Sequence, residues 1–104
     1  MLSEKITIGD LVQCTRDLCL NEVVQSTEQN RGKYQLSQTG IFWEYKQHSI
    51  VLQENSLLLI IDLIPHFRSK NDHLFICLGG NGKTVPLFDN EITLIQKRNG
   101  ELPL

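Results

Sequence analysis

The chain contains no alanine, although 16 of its 104 residues are leucine. Alanine is the strongest helix former and fits the tight contacts between packed helices, so its absence counts against a helical bundle. An AT-rich coding sequence would empty the same codons, so this absence alone does not set the fold. Cysteine is scarce and odd in number. Cys14, Cys19 and Cys77 cannot complete a disulfide framework. Each sits among apolar or strand-like neighbours, where a reduced thiol behaves as a small hydrophobe, and the expectation is a reducing compartment, the cytoplasm. Positive charge is not in excess either. Ten basic residues are interleaved with twelve acidic ones, for a formal charge of -2 and a pI near 5.9. Without a basic stripe there is little counterion release to drive binding to a nucleic-acid backbone.

Long apolar runs are also missing. Leu57 to Ile64 is interrupted by Asp62 and is too short to cross a bilayer, and MLSEKITIGD does not read as a signal peptide. Nor is there a complete phosphate-binding loop. GGNGKT contains the Gly82-Lys83-Thr84 ending of G-x-x-x-x-G-K-[ST], but the first glycine of that motif falls on Cys77. The following Thr84-Val85-Pro86 cannot open the helix that the loop requires, since proline costs about 3 kcal/mol inside one. No nucleotide or other cofactor is expected. Asn81-Gly82 between two apolar runs predicts instead a hairpin with a type I′ turn.

What is present reads as one domain over residues 1–104, with 40% apolar residues and a modest core. Most segments are strand-like. ITIGDLVQC, Ile6 to Cys14, places Ile6, Ile8, Val12 and Cys14 on one face, with a bulge or bend at Gly9-Asp10. Asp17 to Asn30 fits either a helical turn or a strand followed by a polar loop. KYQL (33–36) and IFWEY (41–45) flank a turn at Thr39-Gly40, and SIVL (49–52) and LLLIIDL (57–63) flank Gln53 to Ser56. Beyond the charged loop HFRSKND, HLFICL and KTVPLF flank Gly79 to Gly82, and EITLIQK reads as a last short strand before the tail RNGELPL. Short strands punctuated by turns predict an all-β fold, a small antiparallel barrel or roll of five to seven strands.

Candidate chemistry is thin. The cysteine and histidine spacings make no metal motif, and no serine or cysteine sits in a nucleophile setting. Asp62, His66, Asp72 and His73 lie near one hairpin end, where an acid–base pair is conceivable but a solvated loop is the simpler explanation. No catalytic or metal-binding residue is assigned, and a barrel this small leaves little room for a substrate pocket. A nucleic-acid alternative would stack bases on Trp43 and draw on Arg31, Lys33, Lys46, Arg68 and Lys70.

LLLII (57–61) and LFICL (74–78) are apolar on both faces, whereas a half-buried strand alternates. Their outward faces need cover, from Asp17 to Asn30, from the Trp43 region, or from another chain. Protein contact or self-association is therefore the expected function. Leu57, Leu59 and Ile61 form one candidate contact, and Phe42, Trp43 and Tyr45 form the second, because large aromatics anchor interfaces.

The frame ITIGDLVQ, SIVLQENSLLLIIDLIP and HLFICLGGNGKTVPLFDNEITLI resembles the small Src-homology-3-like barrel proteins common in tailed phages. Gly9-Asp10-Leu11-Val12 match the opening strand, Ile60-Ile61-Asp62 the middle strand, and Glu91-Ile92 with Leu94-Ile95 the closing one. Arg16 to Tyr45 has no counterpart in that pattern. The resemblance implies binding rather than catalysis, by an adaptor or a factor acting on a host protein in the host cytoplasm. It carries over no ligand and no functional residue.

Overall fold

Turn residues cut the chain into seven strands: β1 (Leu11–Cys14), β2 (Leu18–Gln25), β3 (Trp43–Leu52), β4 (Leu57–Ile64), β5 (Leu74–Gly79), β6 (Thr84–Phe88) and β7 (Ile92–Gln96). The computed structural model describes residues 5–26, 37–65, 67 and 72–98. Five strands form an antiparallel sheet in the order β6-β5-β4-β1-β7, and β2 and β3 form a separate ribbon. The all-β expectation holds, at the upper end of the expected strand number.

β6 and β7 lie at opposite edges of the five-stranded sheet, yet only the 3-10 turn Asp89–Glu91 joins them. Such a turn advances about 6 Å at ~2 Å per residue. The edges of five flat strands would stand about 19 Å apart at ~4.8 Å spacing. The sheet must therefore curl until its edges approach at that end. It does not close: β2 packs beside β6 with no ladder between them. Pro86 in the middle of β6 has no N–H to offer such a ladder. The fold is an open roll, not a closed barrel.

The inner face of the roll holds the main core. Val12, Cys14, Leu58, Ile60, Phe75, Cys77, Val85, Leu87 and Ile92 pack there with Ile50 and Leu52 from the ribbon. Ile6 and Ile8 join them as expected, although the strand begins only at Leu11. A turn precedes it, in which the Asp10 N–H donates to the Thr7 carbonyl at 3.2 Å. Asp17 to Asn30 resolves in favour of a strand: β2 runs to Gln25, and residues 27–30 lie outside the described set. The WEY of IFWEY and the whole of SIVL are parts of one ten-residue strand, β3, which begins at Trp43. KYQL lies outside the described residues.

The β5–β6 hairpin forms where expected but with different turn chemistry. The Gly79 N–H donates to the Lys83 carbonyl at 2.9 Å, and the left-handed region is occupied by Gly82 (φ 80°) but not by Asn81. This is a three-residue connection with glycine at its last position, not a type I′ turn. The Asn81 side chain accepts from the Lys83 N–H at 2.9 Å, which stabilises the turn without a positive φ at Asn81. Gly82→Ala places a Cβ in open space but keeps the left-handed backbone. The expected result is a loss of about 1 kcal/mol in urea unfolding.

Candidate functional site

Two features stand out once the register is laid down: a buried carboxylate and a half-covered apolar face. Both follow from one bulge. Ile60 pairs with Cys77 but Asp62 pairs with Ile76, so Ile61 is an extra residue in β4. Without it, Asp62 would fall on the inner face beside Leu58 and Ile60, among apolar groups that cannot satisfy a charge. The bulge turns Asp62 to the outer face.

There the carboxylate is fully buried but well served. Asp62 Oδ2 accepts from the Ser37 hydroxyl (2.6 Å), the Thr39 hydroxyl (2.6 Å) and the Trp43 indole N–H (2.7 Å). Oδ1 accepts from the N–H groups of Leu63 (2.8 Å) and Thr39 (3.2 Å). Burial works against ionisation, but these donors outweigh it and hold the carboxyl below its ordinary range. The result is a clasp that fixes the Ser37–Ile41 turn on the end of β4, assisted by the Gln38 N–H on the Leu63 carbonyl at 2.8 Å. Its partners are hydroxyls, an indole and backbone amides rather than a histidine, so the arrangement Asp62 makes is structural. His66 lies outside the described residues; His73 stands edge-on to Phe75, ring centroids 6.3 Å apart.

Trp43 is therefore interior, only 7% exposed. The expectation that Trp43 serves as a surface contact or stacks under a base is corrected on both counts. With Val23 from β2 it packs on Ile64, Leu74 and Ile76, so the ribbon supplies internal cover for one half of the sheet's outer face. Phe42 is half-buried, and Tyr45 stays 52% exposed on β3. Of the basic residues weighed for nucleic acid, Arg31, Lys33, Arg68 and Lys70 lie outside the described residues.

The other half of that face is uncovered by the described residues. Leu59 pairs with Leu11 on one side and with Leu78 on the other, a direct row across β1, β4 and β5. Leu57 (53% exposed) and Leu59 (39%) stand beside each other on β4. Ile61, the third residue expected there, belongs to the covered half: it is partly buried against the Trp43 cluster. Leu78 belongs to the LFICL run whose outward face the sequence shows to need cover, whereas Leu11 in the row and Val51 near it carry no such signal in the sequence. Val51 and Leu57 line a shallow cleft of about 390 Å³ against Gly79, Gly80 and Asn81.

Elsewhere, Asp10 is a second buried carboxylate. It accepts from the Lys97 ammonium (2.8 Å) and from the N–H groups of Thr7 (2.8 Å) and Arg98 (2.9 Å). Burial again opposes the charge, and these partners again hold the carboxyl low. Cys14 and Cys77 are core residues, and burial pushes the Cys77 thiol up, with Cys14 and Glu91 adding to it. Cys19 is exposed, opposite Val51 in the ribbon. An open groove of about 920 Å³ runs along β7, lined by Ile6, Phe75, Ile92 and Leu94 with Lys5 and Asp89. Among the described residues no three His, Cys, Asp or Glu side chains cluster as metal ligands, and no helix is long and apolar enough to cross a membrane. No family model, curated protein or solved structure matches the chain.

Proposed function

We propose that the chain is a non-catalytic protein–protein interaction module whose contact surface is the bare half of the sheet's outer face. The observation that carries this reading is the row Leu11–Leu59–Leu78 with Leu57 beside it. The same face is covered by Val23 and Trp43 at its other end, so among the described residues the cover is only partial. Contiguous exposed apolar surface of this kind marks contact sites on soluble proteins. At roughly 25 cal/mol per Å², burying it gives a driving force that outlasts part of the association cost.

The curled five-stranded sheet with its 3-10 link between the edge strands supports the finer reading as a Src-homology-3-like module, which the sequence resemblance extends to the tailed-phage type. Such a module acts as an adaptor, or as a factor that engages a host protein in the host cytoplasm. The test is affinity capture from a native lysate with wild type and Leu59→Asp. A partner retained by the wild type and reduced at least about tenfold by the charge supports the reading. Equal capture by both, with Leu59→Asp folded by circular dichroism, removes it.

A further inference from the structure

The two edges of the sheet are protected unequally. β6 carries Pro86 and is flanked by β2. β7, with the sequence ITLIQ, has no proline and no charge, and none of the described strands pairs with its outer side. An uncharged, unpaired edge is a template for another strand.

The main-chain directions on β7 follow from its bonds to β1. The Thr15 N–H donates to the Glu91 carbonyl at 3.1 Å, whereas Cys14 exchanges its own groups with Ser56 and Asn55 on the β4 side. In an antiparallel pair these directions alternate, so Thr93 faces β1 while Ile92 and Leu94 face the free edge. The Ile92 N–H is used by the Asp89 carbonyl. The Ile92 carbonyl and both groups of Leu94 have no main-chain partner among the described residues. Leu94 is also the midpoint of the strand Ile92–Gln96.

Charge along this edge is antisymmetric. Asp89 lies at the start of β7, and Arg98 and Lys5 lie at its end; Glu91 keeps its carboxylate on Arg16 and the Phe88 N–H, and Lys97 keeps its ammonium on Asp10. We propose that β7 pairs antiparallel with β7 of a second copy, about a two-fold axis at Leu94. That operator makes two reciprocal Leu94–Leu94 hydrogen bonds and brings the acidic end of each strand to the basic end of the other. Directly opposed residues share a face, so Leu94 of each copy projects toward the apolar groove beside the other's β7. The extra residue Ile95 keeps the regular ladder short, and the dimer is accordingly a weak one that builds with concentration.

The inference uses a different surface from the leucine row, and its test separates the two. Sedimentation equilibrium from about 10 to about 500 μM should show mass rising toward twice 11.9 kDa, the range expected for a small interface. The Leu94 amide signal should shift with the same concentration dependence. Asp89→Lys and Arg98→Glu should each weaken association about tenfold, because symmetry counts each change twice. Asp89→Lys/Arg98→Glu should restore it, and Leu59→Asp should leave it unchanged. A monomer throughout the range overturns the proposal, as does a dimer insensitive to both charge reversals or one dissolved by Leu59→Asp.

Discussion

Asp62→Ala should lower the unfolding free energy by about 3–5 kcal/mol, the range for stripping a buried charge-assisted cluster of its acceptor. Five donors converge on that carboxylate. Its removal leaves the Trp43 indole N–H buried without an acceptor and strips the Ser37 and Thr39 hydroxyls of their short contacts to it. Total stability of a domain this size is about 5–15 kcal/mol, so the variant should sit near its unfolding midpoint at modest urea. Asp62→Asn keeps the shape but substitutes an amide that can accept at only one atom, and should fall between Ala and wild type. The measurement is urea unfolding followed by Trp43 emission, which reports directly from the clasp. A loss below about 1 kcal/mol would place the hydrogen bonds outside the stability of the fold.

Acid should destabilise the protein through Asp10 and Asp62 together. Both carboxyls are held below their ordinary value in the folded chain, against about 3.9 in the unfolded one. A depressed folded pKa means that the unfolded chain takes up protons first. The stabilisation is therefore complete above roughly pH 5 and is lost as pH falls through the unfolded pKa toward the folded ones. Unfolding free energy should be level from pH 7 to about 5 and then drop, by up to about 1.4 kcal/mol per pH unit for each group. Asp10→Asn/Asp62→Asn should be weaker at neutral pH but visibly flatter below pH 5. An equally steep acid limb in the double variant would assign acid sensitivity to other groups.

The strands were legible because turn residues bracket them: Gly79 to Gly82 stand between runs of strong β formers, and Pro65 stops β4. The unity of β3 was not, because Lys46-Gln47-His48 looks like a break between two short strands. In the structure those residues lie at a register shift that gives β3 two extra positions opposite Glu22, and a bulge of this kind leaves no apolar signature. The apolar double face of β4 and β5 was correctly read, but not which half is covered. Alternation along a strand says which residues share a face; the Ile61 bulge, which reverses that assignment midway, depends on pairing with β5. Trp43 shows the same limit. An aromatic run states how much surface must be buried and not whether a partner or the chain itself buries it. In the sequence Asp62 is a strand-end carboxylate near two histidines, and only the return of residues 37–43 over β4 brings in its real partners.

The claim that the bare row Leu11–Leu59–Leu78 is a protein contact is tested most directly by a photo-crosslinking residue at position 57, whose leucine is exposed and adjacent to Leu59. Irradiation in the native lysate should give one dominant adduct of defined mass larger than a second copy of the chain adds, and Leu59→Asp in the same chain should abolish it. An absence of adducts, or a ladder of many that the Leu59→Asp change leaves untouched, would contradict the account.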